Sequence, residues 1–190
     1  MSQPSFVVWL FGLPCAGKTS LGDALHDELA RRGVSALRLD GDQLRKGLCA
    51  DLGFSHDDRT ENIRRAAHVA RLACKGGIPV IASFITPTHA LRDLATGIVG
   101  GERFLPVFVD CPVDECSRRD VKGLYARARA GQLTGLTGAD AGFDPPGKDG
   151  FTIRSDARSI EECVQDIVAE MRACGWLEKV GGASLPLDQA

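Results

Sequence analysis

The chain of 190 residues, of which 44% are hydrophobic, is long enough to bury one sizeable core, and we expect a single domain. Its formal net charge of -2 gives no overall attraction to nucleic acid or to an anionic membrane, so neither is an expected partner, and any anionic ligand requires local basic residues. Seven cysteines, an odd number without a C-x-x-C pair, argue against a disulfide framework and a zinc site and favour reduced thiols in the cytoplasm.

Short apolar runs alternate with amphipathic segments along the chain, a pattern typical of α/β proteins with a parallel sheet. The first apolar run holds about six residues, too few for a signal peptide or a membrane span, and indicates a buried strand. The predicted strands are residues 6–11, 35–39, 78–84, 104–109 and 151–154. The predicted helices are residues 18–32, 57–75, about 87–96, 113–119 and 159–174, with ends marked by Ser55 before Asp58, by Gly33 and by Gly76 with Gly77.

One long stretch, residues 131–150, is rich in glycine and has little periodicity. It predicts a surface loop, and loops of this length inside a compact domain are usually functional. Residues 181–190 are expected to form a loose tail. The sequence contains no internal repeat and no domain boundary, so we predict one domain over residues 1–180.

Residues 12–19, between the first predicted strand and helix, fit the P-loop pattern G-x-x-x-x-G-K-[ST]. The glycines allow successive backbone N–H groups to face phosphate oxygens, Lys18 would reach the β and γ phosphates of ATP, and Thr19 would present its hydroxyl to Mg²⁺. GTPases, motor ATPases and small-molecule kinases share this loop, so it leaves the acceptor open. We predict a P-loop NTPase-type three-layer sandwich with a central parallel sheet of about five strands and helices on both faces. The predicted nucleotide-binding residues are Gly12, Leu13, Pro14, Cys15, Ala16, Gly17, Lys18, Thr19 and Ser20.

Two carboxylates, Asp40 and Asp42, end the second predicted strand at the edge of the sheet where open α/β sheets bind ligands. One of them would accept a proton from an attacking hydroxyl or hold metal-bound water, and Arg45 one turn on would hold an anionic acceptor. The alternative is a solvated turn that caps a helix. Arg59 and Asn62 share a face of the next helix, and Phe54 either stacks on a base or belongs to the core.

Further blocks extend this pattern, and together they resemble the adenylylsulfate kinase family over roughly residues 5–178. The resemblance implies that the protein transfers the γ-phosphate of Mg·ATP to the 3′-hydroxyl of adenosine 5′-phosphosulfate, as a homodimer. It makes Asp42 the base or orienter of that hydroxyl, lets Asp40 assist through Mg²⁺-bound water, and places Lys122 on a lid of about residues 120–150. The blocks that carry it are residues 39–45, 47–48, 51–54, 58–59, 61–65, 84–87, 119–125, 128–131, 136–138 and 140–146.

The resemblance also implies a set of acceptor contacts. Arg45, Arg59 and Asn62 fall on positions that hold the phosphosulfate and ribose, and Phe54 and Leu136 fall on the two positions that clamp the adenine. The full set of predicted acceptor-binding residues is Asp40, Asp42, Arg45, Phe54, Arg59, Asn62, Ile85, Thr86, Lys122, Leu136 and Thr137.

The sequence differs from the family pattern at several positions. Leu136 replaces the second phenylalanine of the adenine clamp, and Thr86 replaces a serine that we interpret as a binding residue, because direct phosphoryl transfer needs no phosphorylated intermediate. The other differences are Gln43, Thr88 and the stretch near Lys148 and Asp149. Two alternatives therefore stay open: a kinase of the same fold that acts on another nucleotide conjugate or small alcohol, and a nucleotide-binding module without catalysis.

Overall fold

A five-stranded parallel sheet forms the centre of the computed structural model, which describes residues 5–147 and 150–177. The strands occur in the order β2-β3-β1-β4-β5, and every neighbouring pair is parallel. Parallel neighbours need crossover connections, which are helices here. The fold prediction is confirmed. The strands are β1 (Val7–Phe11), β2 (Leu37–Asp40), β3 (Val80–Phe84), β4 (Phe104–Asp110) and β5 (Phe151–Arg154).

Helices cover both faces of the sheet and complete the predicted three layers. Val8 and Leu10 of β1 pack with α1 and α7 on one face, whereas Val7, Trp9 and Phe11 pack with α3 and α4 on the other, as the two-residue period of a strand requires. The helices are α1 (Lys18–Arg31), α2 (Gly41–Leu44), α3 (His56–Lys75), α4 (His89–Val99), α5 (Val113–Arg119), α6 (Leu124–Arg129) and α7 (Ile160–Ala173), with a 3-10 turn at Gly101–Arg103.

The helix ends follow the signals in the sequence. Ser55 and Asp58 form a reciprocal capping box at the start of α3, and Gly76 with Gly77 ends that helix, as predicted. Helix α4 begins later than predicted, at His89, because Thr88 is its N-cap and accepts a hydrogen bond from Leu91 N. Helices α2 and α6 were not predicted, since elements of four and six residues are too short to display a helical period.

The long stretch after Ala130 lacks helices and strands in its described part, residues 131–147 and 150, but the prediction of a surface loop is wrong at its centre. Leu136 is 7% exposed and Thr137 is 1% exposed. Leu136 belongs to the same apolar cluster as Leu13, and Gly138 approaches Leu13 so closely that a Cβ would lie 2.9 Å from its Cδ2. The predicted tail at residues 181–190 and the difference at residues 148–149 lie outside the described residues.

The carboxyl ends of three strands meet at one edge of the sheet. The P-loop follows β1, Asp40 ends β2, and Ile85 follows β3. The Gly12 amide donates to the Ile85 carbonyl at 3.2 Å and joins two of these segments directly. In the described ranges, no helix is both long enough and apolar enough to cross a membrane.

Candidate active site

A cleft of about 260 Å³ opens at this edge and brings the predicted site residues together. It is lined from the phosphate side by Lys18 and Thr19 and from the opposite side by Arg45, Phe54 and Asn62. A pocket with convergent polar groups at the carboxyl ends of parallel strands is the expected position of an active site. The other predicted residues in its lining are Pro14, Cys15, Gly17, Ser20, Asp40, Asp42, Arg59, Ile85, Thr86 and Lys122.

Some predicted residues lie outside this lining. Gly12, Leu13 and Ala16 support the loop from behind, where Ala16 is buried and donates its amide to Leu13 O at 3.2 Å. Leu136 and Thr137 are held in the core and against α3, so their contact with an acceptor stays a prediction. The remaining lining residues were not predicted as site residues, because most of them are apolar or glycine and carry no reactive group: Gly41, Ile63, Ser83, Phe84, Pro87, Leu91, Val121 and Leu124.

The phosphate loop uses backbone conformations that few residue types tolerate. Gly12, Cys15 and Gly17 all have positive φ, at 151°, 62° and 94°. A Cβ on Gly12 would lie 2.5 Å from the carbonyl oxygen of Val109 in β4, so only glycine fits there. Lys18 donates from Nζ to the carbonyls of Gly12 and Leu13, at 3.0 and 2.6 Å, and its ammonium is thereby kept at the mouth of the loop.

Lys18 has an altered acidity because it is enclosed by the loop. Burial, followed by the nearby Lys122 ammonium, lowers its pKa from the ordinary 10.5 to about 8, although Cys116, Cys15 and Asp40 act in the opposite direction. Loss of hydration penalises the charged form of a buried amine. An anion placed in the loop would restore the charged form, so ligand binding and protonation of Lys18 are linked.

We therefore expect ATP binding to take up a proton at alkaline pH. The bound phosphates favour charged Lys18, so the complex holds more protons than the free protein. The difference is about half a proton at pH 8 and much less at pH 7. The affinity for ATP therefore falls as the pH rises above 8. Calorimetric titration in two buffers of different ionisation enthalpy measures this uptake. Lys18→Arg is the control, because arginine stays charged and any proton uptake that remains in this variant comes from the nucleotide itself. Equal proton uptake by the native protein and the variant would contradict the prediction.

The two carboxylates at the end of β2 have different roles. Asp40 accepts hydrogen bonds from the Thr19 hydroxyl at 2.9 Å and from the amides of Asp42 and Gln43 at 3.0 and 3.4 Å, so it caps α2 and orients Thr19 at once. The alternative of a helix cap is thus correct for Asp40. Asp42 is exposed to the cleft, and its carboxylate forms an ion pair with Lys122. Asp42 is therefore the more exposed of the two carboxylates, and it has no role in a helix cap.

Thr19 and Asp40 offer neighbouring oxygen donors of the kind that Mg²⁺ prefers. No group of three or more His, Cys, Asp or Glu residues suited to hold a metal occurs among residues 5–147 and 150–177. Mg²⁺ is bound in nucleotide kinases by one or two protein oxygens, with waters and phosphates completing the shell. A hydroxyl and a carboxylate 2.9 Å apart beside the phosphate loop therefore fit this ion.

Lys122 reaches the cleft from a segment that is tied to the phosphate loop. The Asp120 carboxylate accepts from the amides of Tyr125 and Ala126 at 3.0 and 2.9 Å and caps α6. The Tyr125 hydroxyl, which is buried, donates to Pro14 O at 3.3 Å. Lys122 is thus positioned by a folded turn. Sequence reasoning missed the tyrosine because 111 residues separate the two partners.

Phe54 forms an exposed aromatic platform in the lining of the cleft. Its side chain is 68% exposed, so the alternative that it belongs to the core is wrong. The Arg45 guanidinium lies 4.3 Å from the ring centroid and donates to the carbonyls of Leu52 and Gly53, at 3.1 and 2.8 Å. One ring face is supported by this cation, and the arrangement suits a stacked base.

Arg59 and Asn62 both reach the cleft from one face of α3, as their spacing predicted. Arg59 donates to Phe54 O at 2.9 Å, to Gly135 O at 2.6 Å and to the Thr137 hydroxyl at 3.3 Å, which connects α3 to the long loop. Burial lowers the pKa of Arg59, and Arg45 acts in the same direction. Asn62 is 6% exposed, and its Oδ1 has no hydrogen-bond partner within the described part of the chain. A buried acceptor without a donor is costly, which points to a ligand hydroxyl or amine.

Thr86 lies at the floor of the cleft in a strained conformation. Its φ is 42°, unusual for a β-branched residue, and it is only 1% exposed. Its hydroxyl accepts a hydrogen bond from Trp9 Nε1 at 2.9 Å. The hydroxyl is therefore engaged in the core and badly placed to be phosphorylated.

Comparison with known proteins decides the family. The sequence model of a family described as Adenylylsulphate kinase matches residues 4–154. The chain belongs to the adenylylsulphate kinase family. It is 47% identical to the adenylyl-sulfate kinase of Paraburkholderia xenovorans over 89% of this chain and 94% of the relative. It is 43% identical to the adenylyl-sulfate kinase of Bacteroides thetaiotaomicron over 88% of this chain and 84% of the relative.

A solved structure within the family has the same overall shape. The APS kinase CysC of Mycobacterium tuberculosis, described in complex with AMPPNP and APS, superposes with a TM-score of 0.86 at 42% identity, over 90% of this chain and 99% of the other. The residues matched by the family model, 4–154, include the phosphate loop, Asp40, Asp42 and the long loop. The family assignment made from the motif blocks is thus confirmed.

Proposed function

We propose that this member of the family is an adenylyl-sulfate kinase, which transfers the γ-phosphate of ATP to the 3′-hydroxyl of adenosine 5′-phosphosulfate and yields 3′-phosphoadenosine 5′-phosphosulfate. One observation carries the proposal: a single cleft presents the phosphate loop, an exposed carboxylate at Asp42 and an aromatic platform at Phe54. Family membership supports adenosine 5′-phosphosulfate as the acceptor, because relatives named adenylyl-sulfate kinase align over most of the chain.

On the phosphate side, the loop amides and Lys18 bind the β and γ phosphates of ATP. Lys18 is already enclosed by the loop and needs to exchange two carbonyl partners for phosphate oxygens. We propose that Thr19 would hold Mg²⁺ through its hydroxyl and that Asp40 would assist by holding a water of the ion. When bound, this ion neutralises charge that develops between the β and γ phosphates.

On the acceptor side, Asp42 receives the proton of the 3′-hydroxyl while the oxygen attacks the γ-phosphorus and the bond to the β–γ bridging oxygen breaks. Asp42 forms an ion pair with Lys122. The transferring phosphate attracts the Lys122 ammonium, and the Asp42 carboxylate is then available to the 3′-hydroxyl. We propose that residues from about 120 to 150 act as a lid that excludes water, a competing acceptor.

Recognition of adenosine 5′-phosphosulfate is divided among the remaining residues. The adenine stacks on Phe54, the phosphosulfate is held by Arg45 and Arg59, and the orphan oxygen of Asn62 accepts from the ribose or base. Thr86 contributes to binding as part of the cleft lining and without its hydroxyl, which is bonded to Trp9. Leu136 adds no ring to the other side of the base, so the stack has one aromatic partner.

We expect Phe54→Ala to raise the KM for adenosine 5′-phosphosulfate by about tenfold or more, because loss of a stacked base costs about 1–3 kcal/mol. The KM for ATP should stay within about twofold, since the ring lies on the acceptor side. Steady-state kinetics with each substrate varied in turn measures both constants. Leu48→Ala, a comparable truncation at an exposed position, is the matched control. Equal changes in the two KM values would contradict a role in stacking.

The function is tested by a coupled assay with Mg·ATP and several acceptors. Product labelled at the ribose 3′ position is the expected result with adenosine 5′-phosphosulfate. If another nucleotide conjugate or an alcohol is phosphorylated and this product is not formed, the proposed acceptor is wrong. The protein would then be the alternative kinase of the same fold, which Gln43 and Leu136 suggest. Bound ATP without any turnover would favour the module without catalysis.

We also propose a homodimer in the cytoplasm, built from one domain over residues 1–180. The seven cysteines are all free thiols, and five of them are buried, which suits a reducing compartment. Light scattering of the purified protein measures the oligomeric state, and a monomer at assay concentration would overturn the dimer.

A further inference from the structure

Arg92 of α4 is a buried cation that the mechanism above does not use. Its side chain is 9% exposed, and it does not line the cleft. It donates to three backbone carbonyls, Thr86 O at 3.2 Å, Pro87 O at 3.4 Å and Asp144 O at 3.0 Å. Its Nη2 also lies 3.1 Å from His89 Nδ1, where a guanidinium can only donate. All four partners belong to two segments that meet behind the acceptor half of the cleft.

Two aromatic rings enclose the same guanidinium. Its carbon lies 5.0 Å from the ring centroid of Phe11 and 5.6 Å from that of Phe143, and Phe143 stacks in turn on Phe108 with centroids 5.6 Å apart. Arg92 forms no salt bridge with a carboxylate of residues 5–147 or 150–177, and burial lowers its pKa. The carboxylates of Asp144 and Asp93 attract the guanidinium only from beyond salt-bridge distance and offset part of the effect of burial. Burial of a charge without a direct salt bridge is costly, so a purely stabilising role would be served better by an apolar residue.

The arrangement around Arg92 fixes the backbone conformation of Thr86. That residue is held at a φ of 42° and forms part of the cleft floor, and its carbonyl is one of the three that Arg92 binds. A strained conformation persists only where its surroundings fix it. A guanidinium serves that purpose because its planar fork sets the direction of several hydrogen bonds at once, which an ammonium does not.

Asp144 completes the connection from the long loop. Its amide donates to Pro87 O at 2.8 Å, and its Oδ2 accepts from His89 N at 2.9 Å. The segment at Phe143 and Asp144 is therefore fastened to the turn at Thr86 and Pro87 by backbone and side chain together. We call Arg92 and Asp144 with these contacts the clasp.

We propose that Arg92 is a positioning residue for the acceptor, and that the clasp holds the turn at Thr86 and Pro87 in its binding geometry from the long loop. The inference rests on the proposed function, because it assigns the turn to the acceptor rather than to ATP. The phosphate loop contacts neither Arg92 nor Asp144 through a side-chain hydrogen bond in the described ranges. Loss of the clasp should consequently weaken binding of the acceptor and leave binding of ATP unchanged.

The test uses the full chain with Arg92→Lys, Arg92→Met and Asp144→Ala. We expect each to raise the KM for adenosine 5′-phosphosulfate, by about tenfold or more for the arginine variants, with the KM for ATP within about twofold, because small displacements of a positioning group are costly in catalysis. Arg92→Lys keeps the charge and should fail to rescue the acceptor KM. Asp93→Ala is the matched control, because it removes an exposed carboxylate that attracts Arg92 but removes none of the hydrogen bonds of the clasp, and it should behave as the native protein.

A double-mutant cycle between Arg92→Lys and Asp144→Ala separates a shared role from two independent ones. If both act through the clasp, their effects on kcat/KM for the acceptor are less than additive. Equal changes in both KM values, native behaviour of the three variants, or strict additivity would each overturn the proposal. Should Arg92→Met fail to fold, Asp144→Ala decides alone, because it removes only the side-chain contact with His89 N and leaves the carbonyl partners of Arg92 in place.

Failure of the inference and failure of the proposed function give different results. Product formation by the native protein reports on the function, whereas only the contrast between native and variant proteins reports on the clasp. Calorimetric binding of adenosine 5′-phosphosulfate and of a non-hydrolysable ATP analogue repeats the comparison without turnover. Weaker binding of the first with unchanged binding of the second supports the clasp, and unchanged binding of both overturns it.

Discussion

Asp42→Ala should lower kcat by about 10³-fold, because a positioned carboxylate that takes a proton in the transition state contributes about 10² to 10⁴ in rate. The ATP affinity should change little, since Asp42 caps no helix and touches neither Thr19 nor the phosphate loop. Stopped-flow or steady-state turnover with saturating adenosine 5′-phosphosulfate gives kcat, and calorimetry gives the ATP affinity.

Two further variants make this result specific. Asp42→Asn keeps the shape and removes the charge, so it should lose nearly as much activity as the alanine variant if proton transfer is the cause. Asp57→Asn removes a fully exposed carboxylate in the first turn of α3 and should leave kcat within about twofold of the native value. Native kcat in Asp42→Asn would contradict a role as base, and lost ATP binding in Asp42→Ala would move its role to the nucleotide.

Local signals in the sequence predicted the sheet correctly, together with a loop at residues 12–17 between β1 and α1. The five strands are short apolar runs, and the P-loop is one contiguous stretch whose glycines are required by its positive φ angles. Ser55 and Asp58 form the cap that their spacing predicted. In each case the residues that interact are neighbours along the chain, which is where pattern reasoning has its information.

Contacts between distant segments were beyond that reasoning. Tyr125 meets Pro14, Arg92 meets Asp144, and Arg59 meets Gly135, at separations of 111, 52 and 76 residues. Leu136 shows the consequence. A glycine-rich stretch predicts a surface loop, but Gly138 permits close approach to Leu13 and the leucine is drawn into the core. Burial here is set by tertiary packing, for which the local sequence carries no signal.

The ion pair of Lys122 and Asp42 connects the two halves of the mechanism. Both side chains are more than half exposed, so the pair itself adds little stability, and it can exchange partners readily. A phosphate oxygen competes for the ammonium, and a hydroxyl then competes for the carboxylate. The proposed base is thus released by the same event that brings the transferring group into place.

Gly12→Ala should both destabilise the protein and abolish ATP binding. Its φ of 151° disfavours a side chain, and the added Cβ would lie 2.5 Å from Val109 O, a backbone atom of a central strand that cannot rotate away. Overpacking of this kind costs about 1–3 kcal/mol, and the backbone strain adds about 1–2 kcal/mol. A loss of about 3 kcal/mol corresponds to a Tm lower by about 6–12 °C for a chain of this size.

A second glycine provides the control for this substitution. Gly97 is exposed within α4, and a Cβ there meets no atom within 4 Å. Gly97→Ala should therefore raise the free energy of unfolding by about 1 kcal/mol, the difference in helix propensity, and leave ATP affinity unchanged. Differential scanning calorimetry of both variants measures Tm, and nucleotide titration measures ATP affinity. If the contact with Val109 requires glycine at position 12, Tm falls in Gly12→Ala and rises in Gly97→Ala. A native Tm and native ATP affinity in Gly12→Ala would mean that the loop can leave β4 without consequence.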